Sequence, residues 1–227
     1  MDAAEYDAWY GTPRGRWIGE TEFTVASTLL GAQSGASLLD VGCGTGWFTR
    51  RFAAQGLCVC GLDPDPQWLG YARAHGDPSM TWVEGDARAL PFADGTFEHV
   101  ASIAAFCFID DERKAAAEAV RVARRSFVIG WLNRRSLLYL QKGRDGGSGA
   151  YRGARWHTAE ELRLMFKGLN VHDLKVRSAV VLPTGARLAV AIERFFSAAL
   201  PFGAMLLVSG TKASDTANST VATEQVV

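Results

Sequence analysis

Four cysteines in 227 residues are too few and too scattered for a disulfide framework. Cys58 and Cys60 make one CxC inside an apolar run, and no second pair stands at metal-ligand spacing. We read Cys43, Cys58, Cys60 and Cys107 as small apolar core residues of a reducing compartment, and we expect no metal. Net charge is also missing, since 24 Lys and Arg balance 24 Asp and Glu. Without a basic stripe, nucleic acid is not an expected partner. The most apolar late stretch, 188–208, is broken by Glu193, Arg194 and Pro201, which argues against a membrane-spanning helix. The opening MDAAEYDAWYG is acidic and lacks the basic-then-apolar order of an export signal, so cytoplasm is the expected location. What is present, 48% hydrophobic and 21% charged residues, suits one globular domain with a sizeable core.

The chain is organised around LLDVGCGTGWFTRRF, residues 38–52. An apolar run over 37–41 carries Asp40 near its end. Gly42, Gly44 and Gly46 follow at alternate positions, and a helical pattern begins at Trp47. That order predicts strand, tight turn, helix. Glycines allow the sharp turn and close approach of a ligand to the backbone. The loop N–H groups at a helix start are expected to receive a polar ligand.

Taken in order, residues 1–15 are rich in aromatic and turn residues (Tyr6, Trp9, Tyr10, then Gly11-Thr12-Pro13), and 16–31 show apolar residues at helical spacing. After the glycine loop come a helix to Gln55, a strand over 57–62, and a helix to about His75 that Asp65 caps with Pro66 in its first turn. Strands are predicted over 80–84, 97–105 and 126–132. A helix over 111–125 would run from an acidic start to the basic end Arg121, Arg124 and Arg125. This alternation predicts an α/β fold with a doubly wound, mostly parallel sheet whose ligand crevice lies at the strand carboxyl ends. Residues 133–157 read as a Gly-rich loop or lid. Thr158 and Glu161 form a capping box. Strands are expected over 171–182 and 204–209, an amphipathic helix over 186–200, and a disordered Ser/Thr/Ala-rich tail over 212–227. The boundaries are thus an N-terminal cap over 1–36, a ligand-binding domain over 37–211 and the tail.

Asp40, Asp63 and Asp86 each stand at or after the end of successive strands, on one rim of the sheet. Asp63 lies seventeen positions after Gly46, where an acid that accepts from ribose hydroxyls belongs in a nucleotide-binding fold. Asp86 suits an exocyclic adenine amine, and Asp40 the cationic end of a ligand. Each acid also has a structural alternative: a turn cap at Asp40, the helix N-cap region at Asp63, a local turn at Asp86.

Together, LLDVGCGTGWFTRRFA, GLDPDPQWLGYAR and WVEGDARALPFADGTFEHV resemble the successive motifs of class I S-adenosylmethionine (SAM)-dependent methyltransferases, closest to the ubiquinone/menaquinone-type (methyltransferase type 11) group. The resemblance implies a Rossmann-like seven-stranded sheet whose last strand is antiparallel and inserted beside the fifth. It implies that Gly42 and Gly44, with Gly46 in the same loop, approach the SAM methionyl part and that Asp40 helps hold it. It further implies that Asp63 takes the ribose hydroxyls, Asp86 the adenine amine, and that Ala87 offers its N–H to the ring. The family's NPPY-type motif of amino-methylating enzymes is absent, which counts against methylation of adenine or glutamine. The implied activity is methyl transfer to a small or lipophilic acceptor.

For a general base the candidates are Tyr10, Tyr151 and His157. Tyr6, Trp9, Tyr10 and Trp17 are lid candidates. The apolar cluster over 195–205 reads either as a wall facing a membrane surface or lipophilic substrate, or as a helix packed on the sheet edge or a dimer face, so the chain is expected to be a monomer or homodimer. Two other functions fit parts of the pattern. An NAD(P)-dependent oxidoreductase shares the loop and Asp63, but Trp47 spoils its GxGxxG spacing. A non-catalytic SAM-binding protein fits the lack of polar groups in SIAAFCF, residues 102–108.

Overall fold

The computed structural model describes residues 2–184, 193 and 201–212. Five strands run parallel: β1 (Ser37–Val41), β2 (Cys58–Asp63), β3 (Thr81–Glu84), β4 (Phe97–Ser102) and β5 (Ala123–Asn133). Two more complete the sheet, β7 (Val171–Ala179) and β8 (Met205–Lys212), in the order β3-β2-β1-β4-β5-β8-β7. β8 is antiparallel to both β5 and β7. The sheet is therefore mostly parallel, with its reversed strand beside the fifth. An eighth strand exceeds the expected seven: the two-residue β6 (Trp156–His157) pairs with the end of β5.

The fully buried strands explain the apolar runs. Leu38, Leu39 and Val41 are covered on both faces, as a central parallel strand requires. One face packs under α1 (Ala3–Gly11), α2 (Pro13–Leu30) and α3 (Trp47–Ala54), and the other against α5 (Glu112–Val122) and α6 (Ala159–Met165). α4 (Pro66–His75) covers β2 and β3. Each fully buried Phe or Leu contributes about 1.5–3 kcal/mol, and Phe52, Phe106, Phe127, Leu38 and Leu39 are among them.

Helix ends follow the residues that satisfy orphan N–H groups. Asp2 with Glu5 and Thr158 with Glu161 form capping boxes, Asp65 caps α4, and Asp111 caps α5. Residues 1–15 depart from the turn-rich reading. They contain α1 and the first turn of α2, and Thr12 ends one helix and caps the next. α1 has no one-sided apolar stripe, so periodicity could not reveal it. The helix expected over 111–125 ends at Val122, because 123–125 already belong to β5. Arg124 and Arg125 there face Glu98 at 3.6 and 3.3 Å rather than closing a helix. β4 ends at Ser102 and β7 at Ala179, both earlier than expected. Cys58 opens β2 in an exposed position, unlike the other three cysteines.

Residues 139–151 form short π and 3₁₀ turns. The expected helix over 186–200 and the tail from 213 lie outside the described residues, apart from Glu193, as does most of the apolar cluster at 195–205. In that cluster Phe202 is exposed and Met205 buried. Among the described residues no helix is long and apolar enough to cross a membrane, and no group of His, Cys, Asp and Glu could hold a metal ion.

Candidate functional site

β1 lies between β2 and β4, so the connections leaving β1 and β4 part to opposite faces and open a crevice at the strand ends. A cavity of about 460 Å³ fills it. Asp40, Gly42, Gly44, Asp63, Asp86 and Ala87 all line that cavity. Gly46 lies behind it, where a Cβ would meet the Trp82 ring at 2.6 Å.

Gly42, Gly44 and Gly46 have φ of 72°, 54° and 79°, a region that suits glycine. The space beside two of them is already taken by the protein. A Cβ on Gly42 would sit 2.3 Å from that of Ala105, and one on Gly44 3.2 Å from Trp68. The N–H groups expected to be free are mostly engaged. Gly42 and Cys43 donate to the Leu62 carbonyl at 2.7 and 3.0 Å, Gly44 donates to Asp63 Oδ2 at 2.9 Å, and Gly46 to the Cys43 carbonyl at 2.9 Å. The loop is thus stitched to the end of β2. Thr45 Oγ1 is the exception: it is buried at the cavity without a hydrogen-bond partner among the described residues. That orphaned hydroxyl suits a polar ligand group beside the loop.

The three acids sit in different environments. Asp40 is buried and accepts from Thr49 Oγ1 at 2.6 Å; burial, opposed by that bond and reinforced by Asp63, pushes its carboxyl up to about 7. Asp63 is half-buried, and its other oxygen accepts from Asp65 N–H at 3.0 Å. Burial raises its pKa while the two backbone donors pull it down. Each oxygen keeps acceptor capacity for a ligand hydroxyl. Asp86 is exposed and bidentate with Arg88, whose hydrogen bonds hold the carboxyl below its ordinary value.

An aromatic wall faces the acids. Tyr10 stacks on Trp47 with centroids 4.1 Å apart, Tyr6 packs on Trp68 at 5.0 Å, and the two phenol oxygens are 3.2 Å apart. Burial raises both phenols, Tyr6 to about 12. Arg50 locks this wall to the glycine loop, donating to Asp7 at 2.8 Å and to the Thr45 carbonyl at 2.7 Å. The fourth side is the segment after β4. It contains Ala104 at φ 61°, a strained value for a residue with a Cβ. Ala104 and Phe108 line the cavity.

Of the three base candidates, Tyr10 lines the cavity and the other two do not. Tyr151 is half-buried against Trp156. His157 Nε2 stands 2.6 Å from Oε2 of the buried Glu112. With Arg155, which pairs with Asp110 at 2.8 Å and donates to the Ile109 carbonyl, His157 ties the 133–157 loop to the post-β4 segment. Tyr6 and Tyr10, both lid candidates, line the cavity and pair one helical turn apart on α1. Sequence reasoning missed Arg50 as a tie and Glu22 as a buried acid on α2, because their surroundings come from elements distant in sequence.

Residues 39–128 match the family model described as a methyltransferase domain. An uncharacterized protein of Mycobacterium tuberculosis is 31% identical over 189 residues, 81% of this chain and 63% of that protein. A malonyl-[acyl-carrier protein] O-methyltransferase of Hahella chejuensis is 33% identical over 130 residues, 55% of this chain and 47% of that enzyme. The chain thus spans less than two thirds of the length of these curated relatives. Among solved structures, a SAM-dependent methyltransferase of Thermotoga maritima, a possible histamine N-methyltransferase by its description, superposes with a TM-score of 0.73 at 23% identity. The match covers 92% of this chain and 96% of that one. The fold is that of SAM-dependent methyltransferases.

Proposed function

We propose that this chain, whose residues 39–128 match the methyltransferase-domain family model, moves a methyl group from SAM to a small or lipophilic acceptor. The observation that carries this is the gathering of Asp40, Asp63 and Asp86, with the glycine loop, around one cavity at the switch point of the sheet. Asp63 holds the ribose hydroxyls and so reads a nucleoside without a phosphate there. Asp86 and Ala87 N–H meet the adenine edge. Thr45 Oγ1 and Asp40 meet the methionyl end. Bound there, SAM supplies a sulfonium methyl for in-line displacement. The protein's part is positioning, which in well-oriented systems is worth an effective molarity of up to roughly 10⁵–10⁸ M. The wall of Tyr6, Tyr10 and Phe108 excludes water and strengthens the local field.

Isothermal titration with S-adenosylhomocysteine (SAH) and with NAD tests the reading. Saturable SAH binding and no NAD binding is the expected result; NAD binding without SAH binding overturns it. The oxidoreductase alternative is not favoured by the methyltransferase-domain match or by the fold. Cytoplasmic location belongs to the same proposal.

A further inference from the structure

Asp86 and Arg88 both line the cavity, with Ala87 between them. Arg88 holds the whole Asp86 carboxylate. Oδ1 accepts from the Arg88 backbone N–H at 2.8 Å and from its Nε at 3.0 Å; Oδ2 accepts from Nε at 3.0 Å and from Nη2 at 2.7 Å. A carboxylate oxygen has two lone pairs, so one residue fills every acceptor place on Asp86. Asp63 differs, since each of its oxygens receives a single backbone donor. The Asp86–Arg88 pair is nevertheless open to water, with the side chains 47% and 40% exposed. Exposed pairs hold their partners by a factor of only about two to five and are screened by salt. The turn beneath does not depend on the Arg88 side chain: Ala89 N–H donates to the Asp86 carbonyl at 3.0 Å, and Leu90 N–H to Glu118 at 2.8 Å. An adenine amine brings an N–H to this corner. A guanidinium has donors only, so amine and Arg88 compete for the same lone pairs. A 6-oxo purine brings an acceptor to the same place and competes for none of them.

We infer that Arg88 is an internal competitor for the adenine site: its guanidinium occupies Asp86 in the free chain and is displaced when the base arrives. Arg88 thereby sets how strongly the site prefers a 6-amino over a 6-oxo purine. This rests on the methyl-transfer reading above, which gives Asp86 to the adenine edge, and adds a residue that controls access to it. The exchange is inexpensive because the pair is exposed. The backbone N–H of Arg88 stays on Oδ1, so the carboxylate keeps its orientation after the side chain has left. The released guanidinium is hydrated, as its exposure allows. Oδ2 then offers both lone pairs to the amine.

The test is calorimetric titration of the full chain with SAH and with S-inosylhomocysteine, its 6-oxo analogue, at low and high sodium chloride. Arg88→Ala should bind SAH about two- to fivefold more tightly than the parent at low salt. The gap should close at high salt, where the parent's ion pair is screened. S-inosylhomocysteine should gain nothing from Arg88→Ala, so the preference for the 6-amino base should rise by the same factor. In an Asp86→Ala background the gain for SAH should vanish, because there is no carboxylate left to release. Arg88→Lys, which cannot form the two-pronged pair, should lie between parent and Arg88→Ala. Unchanged or weaker SAH binding in Arg88→Ala overturns the inference, the weaker case showing that Arg88 holds the ligand itself. An equal gain for S-inosylhomocysteine, or a gain that persists in Asp86→Ala, overturns it as well. Failure of SAH to bind the parent and Arg88→Ala alike overturns the methyl-transfer reading instead.

Discussion

Asp63 answers to two demands at once. Its carboxylate accepts from Gly44 and Asp65 N–H, so it shapes the glycine loop as well as facing the cavity. Truncation therefore removes both a ligand acceptor and a loop tie. Asp63→Asn keeps the shape and one acceptor, while Asp63→Ala keeps neither. By calorimetry, Asp63→Ala should weaken SAH binding by about 1.5–3 kcal/mol, the range for a hydrogen bond to a charged group, with Asp63→Asn in between. Unchanged affinity in a folded Asp63→Ala would remove the ribose assignment. Glu22 carries a different prediction. An acid whose folded pKa lies above its unfolded value takes up a proton on folding, so it costs stability as pH rises from about 4.5 to about 8. Over that window Glu22→Gln should become progressively more stable than the parent, by at most about 1.4 kcal/mol per pH unit, read by urea unfolding. A constant gap across the window would show that Glu22 ionises in the folded chain as it does in the unfolded one.

At the scale of elements, the cap is held by few polar ties. α1 is fastened through Asp7 to Arg50 on α3, and Arg50 also grips the glycine loop. Half-buried ion pairs of this kind are modest, but this one couples two walls of one cavity. Arg50→Ala should cost about 1 kcal/mol or less in global stability. It should nevertheless speed hydrogen exchange in α1 and weaken SAH binding severalfold. If α1 exchange is unaltered, the aromatic packing of Tyr6 and Tyr10 on Trp68 and Trp47 suffices to hold the cap. The loop over 133–157 is fastened in turn by Arg155 and His157 to Asp110 and Glu112, on the opposite side of the cavity mouth. The two attachments make the cavity mouth a joint property of elements far apart in the chain.

For the whole molecule, the cavity gathers the ends of β1 and β2 and the segments after β3 and β4, with α1 as its cover. A ligand there binds the folded chain and not the unfolded one. SAH at about a hundred times its dissociation constant should therefore raise stability by about 2.7 kcal/mol. The melting temperature should rise by several degrees in a single transition. A shift confined to one of two transitions would mean that the sheet and its cap do not unfold together.

The amino-acid order alone determined the parallel half of the sheet, the glycine turn and the row of acids at strand ends. These depend on interactions local in sequence: apolar runs that only a covered strand accommodates, glycines at positive φ, and Asp65, Asp111 and Thr158 as caps. Tertiary structure decided what fills the space beside those glycines, namely Ala105, Trp68 and Trp82, and what occupies the loop N–H groups, namely Leu62 and Asp63. It also packed Tyr6 on Trp68 and Tyr10 on Trp47, buried Glu22 on α2, and moved His157 to Glu112. The physical reason is burial. Desolvation and packing act between residues that only the folded chain brings together, so neither spacing nor composition can express them.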